Sequence, residues 1–259
     1  MTLSGRLAAL ASVGALGAGR LPEDVLADVR GLDERAGTRL RLSGEHTVVA
    51  LAGATGSGKS SLFNVIAGAP LATVGVRRPT TSATQAAVFG PSNASELLDW
   101  LQIRNRQQGD ASSPELSGLL LLDLPDHDSV ELSHRAEVDR LVRLVDAFIW
   151  VLDPQKYADA VLHDAYLRPL APHREVMVVV LNQSDRLSAA ELNSCVADLD
   201  RLLAEDGLAG VPVLATSAVT PDGAAPLHEF LVSTVADHRA RTARVSADLD
   251  SMAARLAPL

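Results

Sequence analysis

The sequence predicts an α/β fold in which a mostly parallel central sheet of about six strands is covered by helices on both faces. Two observations lead to this prediction. Short apolar runs alternate along the chain with stretches of helical periodicity, the pattern of repeated strand–helix units. Hydrophobic residues make up 47% and charged residues 21% of the 259 residues, as in a globular protein with its own core. The six expected strands span residues 47–52, 84–89, 118–122, 147–152, 175–181 and 211–215.

A helix is expected before the first strand. It begins at Pro22, with acidic residues in its first turn and apolar residues at helical spacing up to Leu40, and it ends at Ser43 and Gly44. The weakly apolar residues 1–20 are rich in Ala and Gly. They predict a loose amphipathic helix or a disordered lead-in rather than a signal peptide.

A long helix is expected after the last strand. Its apolar residues, from Leu231 to Leu256, alternate by four and three positions. Three arrangements remain open: it lies on its own domain, it pairs with the helix before the first strand, or it continues into a further segment. The expected division is therefore an N-terminal helical segment (1–44), a nucleotide domain (45–237) and a C-terminal helical extension (238–259).

Charge and cysteine content exclude several function classes. The 32 Asp and Glu residues outnumber the 23 Lys and Arg residues, and the net charge is −9. Such a charge repels nucleic-acid backbones, and aromatic residues at 3% offer few platforms for stacking bases, so no nucleic-acid partner is expected. Apolar runs are far shorter than the roughly 20 residues of a membrane span. The single cysteine, Cys195, fits a reducing compartment, and we expect the cytoplasm.

The strongest motif is a phosphate-binding loop. Residues Gly53–Ser60 match G-x-x-x-x-G-K-S without interruption and lie between the first expected strand and a helix. The glycines allow backbone N–H groups to surround phosphates, the lysine bridges the outer two phosphates, and the serine hydroxyl can ligate Mg²⁺. This motif does not identify the base or the reaction, since kinases, ATPases and GTPases share it.

Four further motifs follow in order, three of them at the ends of expected strands. Arg77–Ser82 contains two threonines, and Asp123–Asp128 follows the third expected strand. Asn182–Asp185 reads N-Q-S-D after the fifth, and Thr216–Ala218 follows the sixth. A fixed carboxylate such as that of Asp185 can accept hydrogen bonds from both ring and exocyclic N–H groups of guanine, a donor pair that adenine lacks.

From about Thr47 to Asp237, the sequence resembles the translation-factor-related P-loop GTPases, in particular the Era-like and bacterial dynamin-like members. The resemblance implies the three-layer P-loop GTPase fold, bound GTP or GDP, and Mg²⁺. It implies metal ligation by Ser60, Thr81 and Asp123, and catalytic roles for Lys59, Thr81 and His127. It implies nucleotide binding by Gly53, Thr55, Gly56, Ser57, Gly58, Lys59, Ser60, Ser61, Asn182, Gln183, Asp185, Ser217 and Ala218.

Several positions depart from the family pattern. Asp126 stands where the D-x-x-G motif of the second switch has a glycine whose N–H contacts the terminal phosphate. The sequence therefore supports GTP hydrolysis less strongly than it supports nucleotide binding. His127, the next residue, is either the group that orients water or a solvated loop histidine. Gln183 replaces the lysine of N-K-x-D, and Gly56 replaces the asparagine of potassium-activated members. Lys156 is expected to touch the second switch or a partner subunit, or else to be an exposed loop lysine.

The resemblance implies that the protein hydrolyses GTP to GDP and phosphate, as a switch or as the head of a dynamin-like membrane-associated machine. Homodimerisation across the nucleotide face would stimulate a low intrinsic rate of GTP hydrolysis. Association with the inner face of the membrane would use residues outside this chain. Two alternatives remain. A guanine-nucleotide switch that does not hydrolyse is favoured by Asp126. An Era-like role in ribosome assembly would need a basic RNA-binding domain, which this acidic chain does not offer.

Overall fold

A computed structural model describes residues 3–72, 83–110, 113–125 and 132–257. It confirms the predicted α/β fold, with a mostly parallel sheet that has seven strands. The strands are β1 (Thr47–Gly53), β2 (Gln85–Val88), β3 (Asn105–Gln108), β4 (Leu119–Asp123), β5 (Ala147–Leu152), β6 (Met177–Leu181) and β7 (Val213–Ala215).

The spatial order of the strands is β3-β2-β4-β1-β5-β6-β7. Neighbouring strands are parallel except β2 and β4, which run antiparallel. The polypeptide segments that follow β4, β1, β5 and β6 therefore leave the sheet at one edge. This edge is where an open parallel sheet places its ligands.

The seventh strand corrects the expected number of about six. The additional strand is β3, which none of the six expected strands includes. This strand pairs with β2 alone, at the border of the sheet, and its sequence NRQQ contains no apolar residue. An exposed edge strand buries neither face, so hydrophobic patterning does not reveal it.

The central strands are buried on both faces because helices cover the sheet. All residues of β1, β4, β5 and β6 are buried. The helices are α1 (Leu3–Leu16), α2 (Glu23–Ser43), α3 (Lys59–Ala67), α4 (Ser95–Trp100), α5 (Leu132–Leu141), α6 (Ala160–Leu162), α7 (Ala189–Glu205) and α8 (Ala225–Leu256). A π-helical turn (His163–Leu167) and a kinked 3₁₀ segment (Arg168–Val176) continue α6 to the start of β6.

One face of the sheet shows how the core is assembled. Alternate residues of β1, such as Val49 and Leu51, share a cluster with Leu62 and Phe63 of α3 and with Leu227 at the start of α8. Aliphatic side chains dominate this cluster. Burying each one contributes on the order of 1.5–3 kcal/mol, which stabilises the strand ends that carry the motifs.

The chain divides into two compact units. One comprises Thr47–Pro91 and Leu101–Val235, and it contains the whole sheet. The other comprises Met1–His46, Ser92–Trp100 and Ala236–Leu259. The short segment that contains α4 groups with the terminal helices, although it lies far from them in the sequence.

Within the helical unit, the three longest helical segments pack on one another. Their shared cluster consists of the buried side chains Leu7, Leu10, Val29, Leu32, Leu249 and Met252. Arg6 of α1 donates hydrogen bonds to Ser246 and Asp250 of α8. Gly44, after α2, accepts hydrogen bonds from Thr242 and from His238. Across the described residues, no helix combines the length and apolarity that a membrane span requires.

Candidate functional site

The phosphate loop connects β1 to α3 and is shaped by glycines. At Gly53, a Cβ atom would lie 2.5 Å from the carbonyl oxygen of Val151, so the loop leaves the sheet in close contact with β5. Gly56 and Gly58 both have a φ of +85°, which favours glycine. A Cβ atom at Gly58 would also overlap Nδ2 of Asn182. The loop conformation therefore requires glycine at these positions.

Side chains from outside the loop bind three successive carbonyl groups of the loop. Nδ2 of Asn182 donates to the Ser57 oxygen at 2.9 Å, and Nε2 of Gln183 donates to the Gly56 oxygen at 2.7 Å. Nζ of Lys156 donates to the Thr55 oxygen at 3.3 Å. In a trans peptide the C=O and the following N–H point in opposite directions. These contacts therefore turn the N–H groups of Gly56 and Gly58 away from the three side chains, as a phosphate cradle requires.

A buried charge pair lies beside the loop. Lys59 is 2% exposed and Asp123, at the end of β4, is 0% exposed. Nζ of Lys59 donates to Oδ1 of Asp123 and to the Leu124 carbonyl oxygen, both at 2.6 Å. The hydroxyl of Ser60 donates to Oδ2 of Asp123 at 2.9 Å. The register between β4 and β1 brings these groups together, because Asp123 lies opposite Leu51 on the neighbouring strand.

This arrangement fits Mg²⁺. The ion takes oxygen ligands and is held in phosphoryl-transfer sites by one or two carboxylates together with phosphates and water. The Ser60 hydroxyl and the Asp123 carboxylate supply two neighbouring oxygens next to the phosphate loop. The carboxylate is also bonded to Lys59, so a metal ion held by Ser60 and Asp123 would lie next to the lysine of the phosphate loop.

The predicted base-reading residues meet at the same sheet edge, beyond β6 and β7. Asn182 is 1% exposed, and its Oδ1 accepts a hydrogen bond from the hydroxyl of Thr216 at 3.3 Å. The hydroxyl of Ser217 donates to Oδ1 of Asp185 at 2.6 Å. The same Ser217 oxygen accepts from the backbone N–H groups of Val219 and Thr220. Asp185 itself is exposed, in a 3₁₀ turn that spans Ser184–Arg186.

A family model described as 50S ribosome-binding GTPase matches residues 48–183, just over half of the 259 residues. The chain belongs to this GTPase family. The matched range contains the phosphate loop, Asp123 and Asn182. Among curated proteins, none matches the sequence significantly.

Solved GTPase structures share the fold of this chain. Era of Aquifex aeolicus, bound to GDP·AlF₄⁻, is 16% identical over 72% of this chain and 56% of its own, with a TM-score of 0.54. The second structure is a bacterial dynamin, from an oligomerised pair that is described as providing a mechanism for the long-range sensing and tethering of membranes. It is 14% identical over 98% of this chain and 46% of its own, with a TM-score of 0.56. The chain therefore spans about half the length of each, and such identities show the fold alone.

Three of the residues predicted to bind the base lie beyond the matched range. Asp185, Ser217 and Ala218 follow residue 183, where the family match ends. Ser217 is nevertheless bonded to Asp185, and Ala218 packs against the core cluster of the sheet. Ser61 lies half-buried in the first turn of α3, beside Ser60. Thr81, Asp126 and His127 lie outside the described residues, and their predicted roles stay predictions.

Lys156 lies on the phosphate loop. From the sequence, we expect it to contact the second switch or a partner subunit, or to be an exposed loop lysine. It is exposed, and its ammonium group binds the carbonyl oxygen of Thr55. The available signal was compositional: Lys59 and Lys156 are the two lysines of the chain, and the other basic residues are arginine. That signal does not show which surface the side chain meets.

Proposed function

We propose that this GTPase binds GTP with Mg²⁺ and hydrolyses it to GDP and phosphate. The observation that carries the proposal is the direct connection between the two ends of the site. Asn182, from the base-reading segment, is bonded to Ser57 of the phosphate loop. This contact joins the two predicted ends of the site at one edge of the sheet, which supports the binding of a single nucleotide across both.

Guanine selection is assigned to Asp185. An ionised carboxylate has about four lone-pair positions, and the Ser217 hydroxyl occupies one of them. The remaining capacity suffices for the ring N–H and the amino group of guanine. Ser217 orients the carboxylate and is itself held by two backbone N–H groups, so the acceptor geometry is set before the base arrives.

For the phosphate end, we assign Lys59 to the outer phosphates, and Ser60 and Asp123 to Mg²⁺. When bound, the metal ion neutralises the phosphate charge that develops during transfer. Water forms a bond to the terminal phosphorus while the bond to the bridging oxygen breaks. That oxygen keeps the electron pair and becomes part of GDP, and the proton of water leaves with phosphate or to solvent. Thr81 as a metal ligand and His127 as the group that orients water complete the proposal.

The context that we favour is a dynamin-like GTPase head. The structural likeness to the bacterial dynamin covers 98% of the chain, including the terminal helices, whereas the likeness to Era covers 72%. The net charge of −9 further disfavours an RNA-binding role. We therefore propose self-association across the nucleotide face, membrane contact through residues outside this chain, and no nucleic-acid partner. A switch that binds without hydrolysing is the second candidate, because Asp126 replaces glycine.

Calorimetric titration of the purified, nucleotide-free chain tests the proposal. With Mg²⁺ present, we expect GDP and GTPγS to bind and ATP not to bind. Release of phosphate from GTP is then measured over a range of protein concentrations. A turnover number that rises with concentration supports a dimer-activated head, whereas binding without phosphate release supports the second candidate. Binding of ATP, or of no nucleotide, would overturn the assignment of Asn182 and Asp185.

A further inference from the structure

Gln85, the first residue of β2, carries a polar atom that has no role in the assignments above. The side chain is half-buried, and its Oε1 atom is buried. Among the described residues, no group donates a hydrogen bond to this oxygen. A buried acceptor without a donor destabilises the fold, because it loses the hydrogen bonds that water supplies in the unfolded chain. The position therefore favours a ligand that can donate a hydrogen bond.

The pairing of β2 with β4 places Gln85 directly opposite Asp123. The two strands are antiparallel. Opposite residues of such a pair have their side chains on the same face of the sheet, with Cβ atoms about 4.5–5.5 Å apart. Asp123 is the carboxylate that we assign to Mg²⁺. The unpaired oxygen of Gln85 therefore belongs to the residue that faces the proposed metal ligand across the two strands.

The face that Gln85 and Asp123 share is the one covered by α3. Ala87 of β2 and Leu121 of β4 each lie two positions from this pair, and both belong to the core cluster that contains side chains of α3. Side chains two positions apart on a strand lie on the same face. Asp123 also accepts hydrogen bonds from the first two residues of α3. Gln85 is therefore on the side of the sheet that holds the phosphate-end residues.

The polar side chains assigned to this end of the site do not supply the missing donor. An ionised Asp123 has only acceptor oxygens. The Ser60 hydroxyl and the Lys59 ammonium group both donate to that carboxylate. A hydrated cation brings donors of its own, because Mg²⁺ keeps several water molecules when a protein binds it. The charge of the ion polarises their O–H bonds and makes them stronger donors.

We propose that Gln85 is a positioning residue of the Mg²⁺ site, in which its Oε1 atom accepts a hydrogen bond from a water molecule on the ion. The inference rests on the proposed nucleotide and metal binding and deepens it. Acceptors from two neighbouring strands, Gln85 of β2 and Asp123 of β4, then orient the ion and its water molecules together. The contact forms only when the ion is present. It therefore adds to the Mg²⁺ affinity without stabilising the metal-free chain.

The test is calorimetric titration of MgCl₂ into the metal-depleted full chain saturated with GDP, together with denaturant unfolding of the same chain without metal or nucleotide. Gln85→Leu removes the acceptor and should lower the Mg²⁺ affinity about tenfold or more. Its unfolding midpoint should equal or exceed that of the wild type, because a buried unpaired oxygen is removed. Gln85→Glu keeps an acceptor oxygen and should bind Mg²⁺ at least as tightly as the wild type.

Gln108→Leu is the matched control. Gln108 is an exposed residue of β3 that lies opposite Val88, at the other end of β2, and its amide group donates to the Gly90 carbonyl oxygen. The substitution makes the same chemical change on the neighbouring strand, away from Asp123. It should leave the Mg²⁺ affinity unchanged.

Three outcomes would overturn the inference. Unchanged Mg²⁺ affinity in Gln85→Leu would leave the residue without a role at the ion. A lower affinity together with a lower unfolding midpoint would make Gln85 a support of the fold. An equal loss in Gln108→Leu would attribute the effect to the strands rather than to the acceptor.

Failures of the proposed function give different results. If the wild-type chain does not bind GDP, the proposed function itself is overturned, and the inference with it. If the wild-type chain binds GDP but not Mg²⁺, nucleotide binding stands, whereas the assignment of Ser60 and Asp123 to the metal is overturned together with the role of Gln85.

Discussion

The two ends of the site differ in how their charges are held. At the phosphate end, Lys59 and Asp123 are almost completely buried and bonded to each other at 2.6 Å. At the base end, Asp185 is exposed and is oriented by a neutral hydroxyl. A buried ion pair becomes costly when one partner is removed, whereas an exposed carboxylate is solvated in either case. We therefore expect stability and nucleotide binding to change together when residues of the phosphate end are substituted, and separately at the base end.

The largest expected effect comes from breaking the buried ion pair between Lys59 and Asp123. Lys59→Ala should abolish nucleotide binding and lower the free energy of unfolding by about 3–5 kcal/mol, because Asp123 remains buried without its cation. Denaturant unfolding and calorimetry measure the two quantities. The double variant Lys59→Met with Asp123→Leu should recover most of the stability without recovering binding. A single variant as stable as the wild type would refute the coupling of folding and binding at this end.

At the base end, Asp185→Asn should change specificity without changing stability. Guanine loses its acceptor for two N–H groups, and xanthine, with an oxygen in place of the amino group, becomes the better ligand. We expect GTP to lose affinity relative to XTP by on the order of 10²-fold or more, and the free energy of unfolding to stay within about 0.5 kcal/mol of wild type. Competition binding of the two nucleotides measures the ratio. An unchanged base preference contradicts the assignment.

A matched pair of glycine variants tests the connection between the two ends. Gly56 and Gly58 have the same φ of +85°, but an added Cβ atom meets nothing within 4 Å at Gly56 and overlaps Asn182 at Gly58. Both alanine variants carry a backbone cost of about 1–2 kcal/mol. Gly58→Ala should lose roughly 1–3 kcal/mol more in unfolding free energy, together with guanine affinity. Equal losses in both variants would show that the Asn182 contact is unimportant.

The smallest expected effect concerns the segment that carries Lys156. Tyr157→Phe removes the hydrogen bond to Asp198 and should cost about 1 kcal/mol. The pKa of Tyr157 is raised to about 12 from 10.0, chiefly by burial, so its folded form keeps the proton longer than the unfolded chain. Its contribution to stability is therefore fully present below pH 10 and is lost as the pH rises through 12. Unfolding measured at several pH values should show wild type and Tyr157→Phe converging over this window. A constant difference would contradict the raised pKa.

The sequence predicted the buried strands, because burial requires a recognisable apolar pattern. Buried runs such as 47–52 and 147–152 marked β1 and β5 to within one residue, since a strand covered on both faces must be apolar throughout. The edge strand β3 escaped detection because NRQQ is exposed. The assignment of residues 92–100 to the helical unit was also missed. Their sequence is compatible with a helix, but it does not indicate which other helices this helix packs against.

The sequence by itself determined the fold class, the phosphate loop and the order of the predicted guanine-binding motifs. These features depend on residues that are close together in the sequence, such as the glycines of a loop or the apolar run of a strand. The tertiary structure alone decided contacts between distant residues. Ser217 bonds to Asp185 across 32 positions, Lys59 to Asp123 across 64, and Lys156 to Thr55 across 101. Such pairs depend on which strands are neighbours and on side-chain reach across the sheet edge, and no local pattern encodes either quantity.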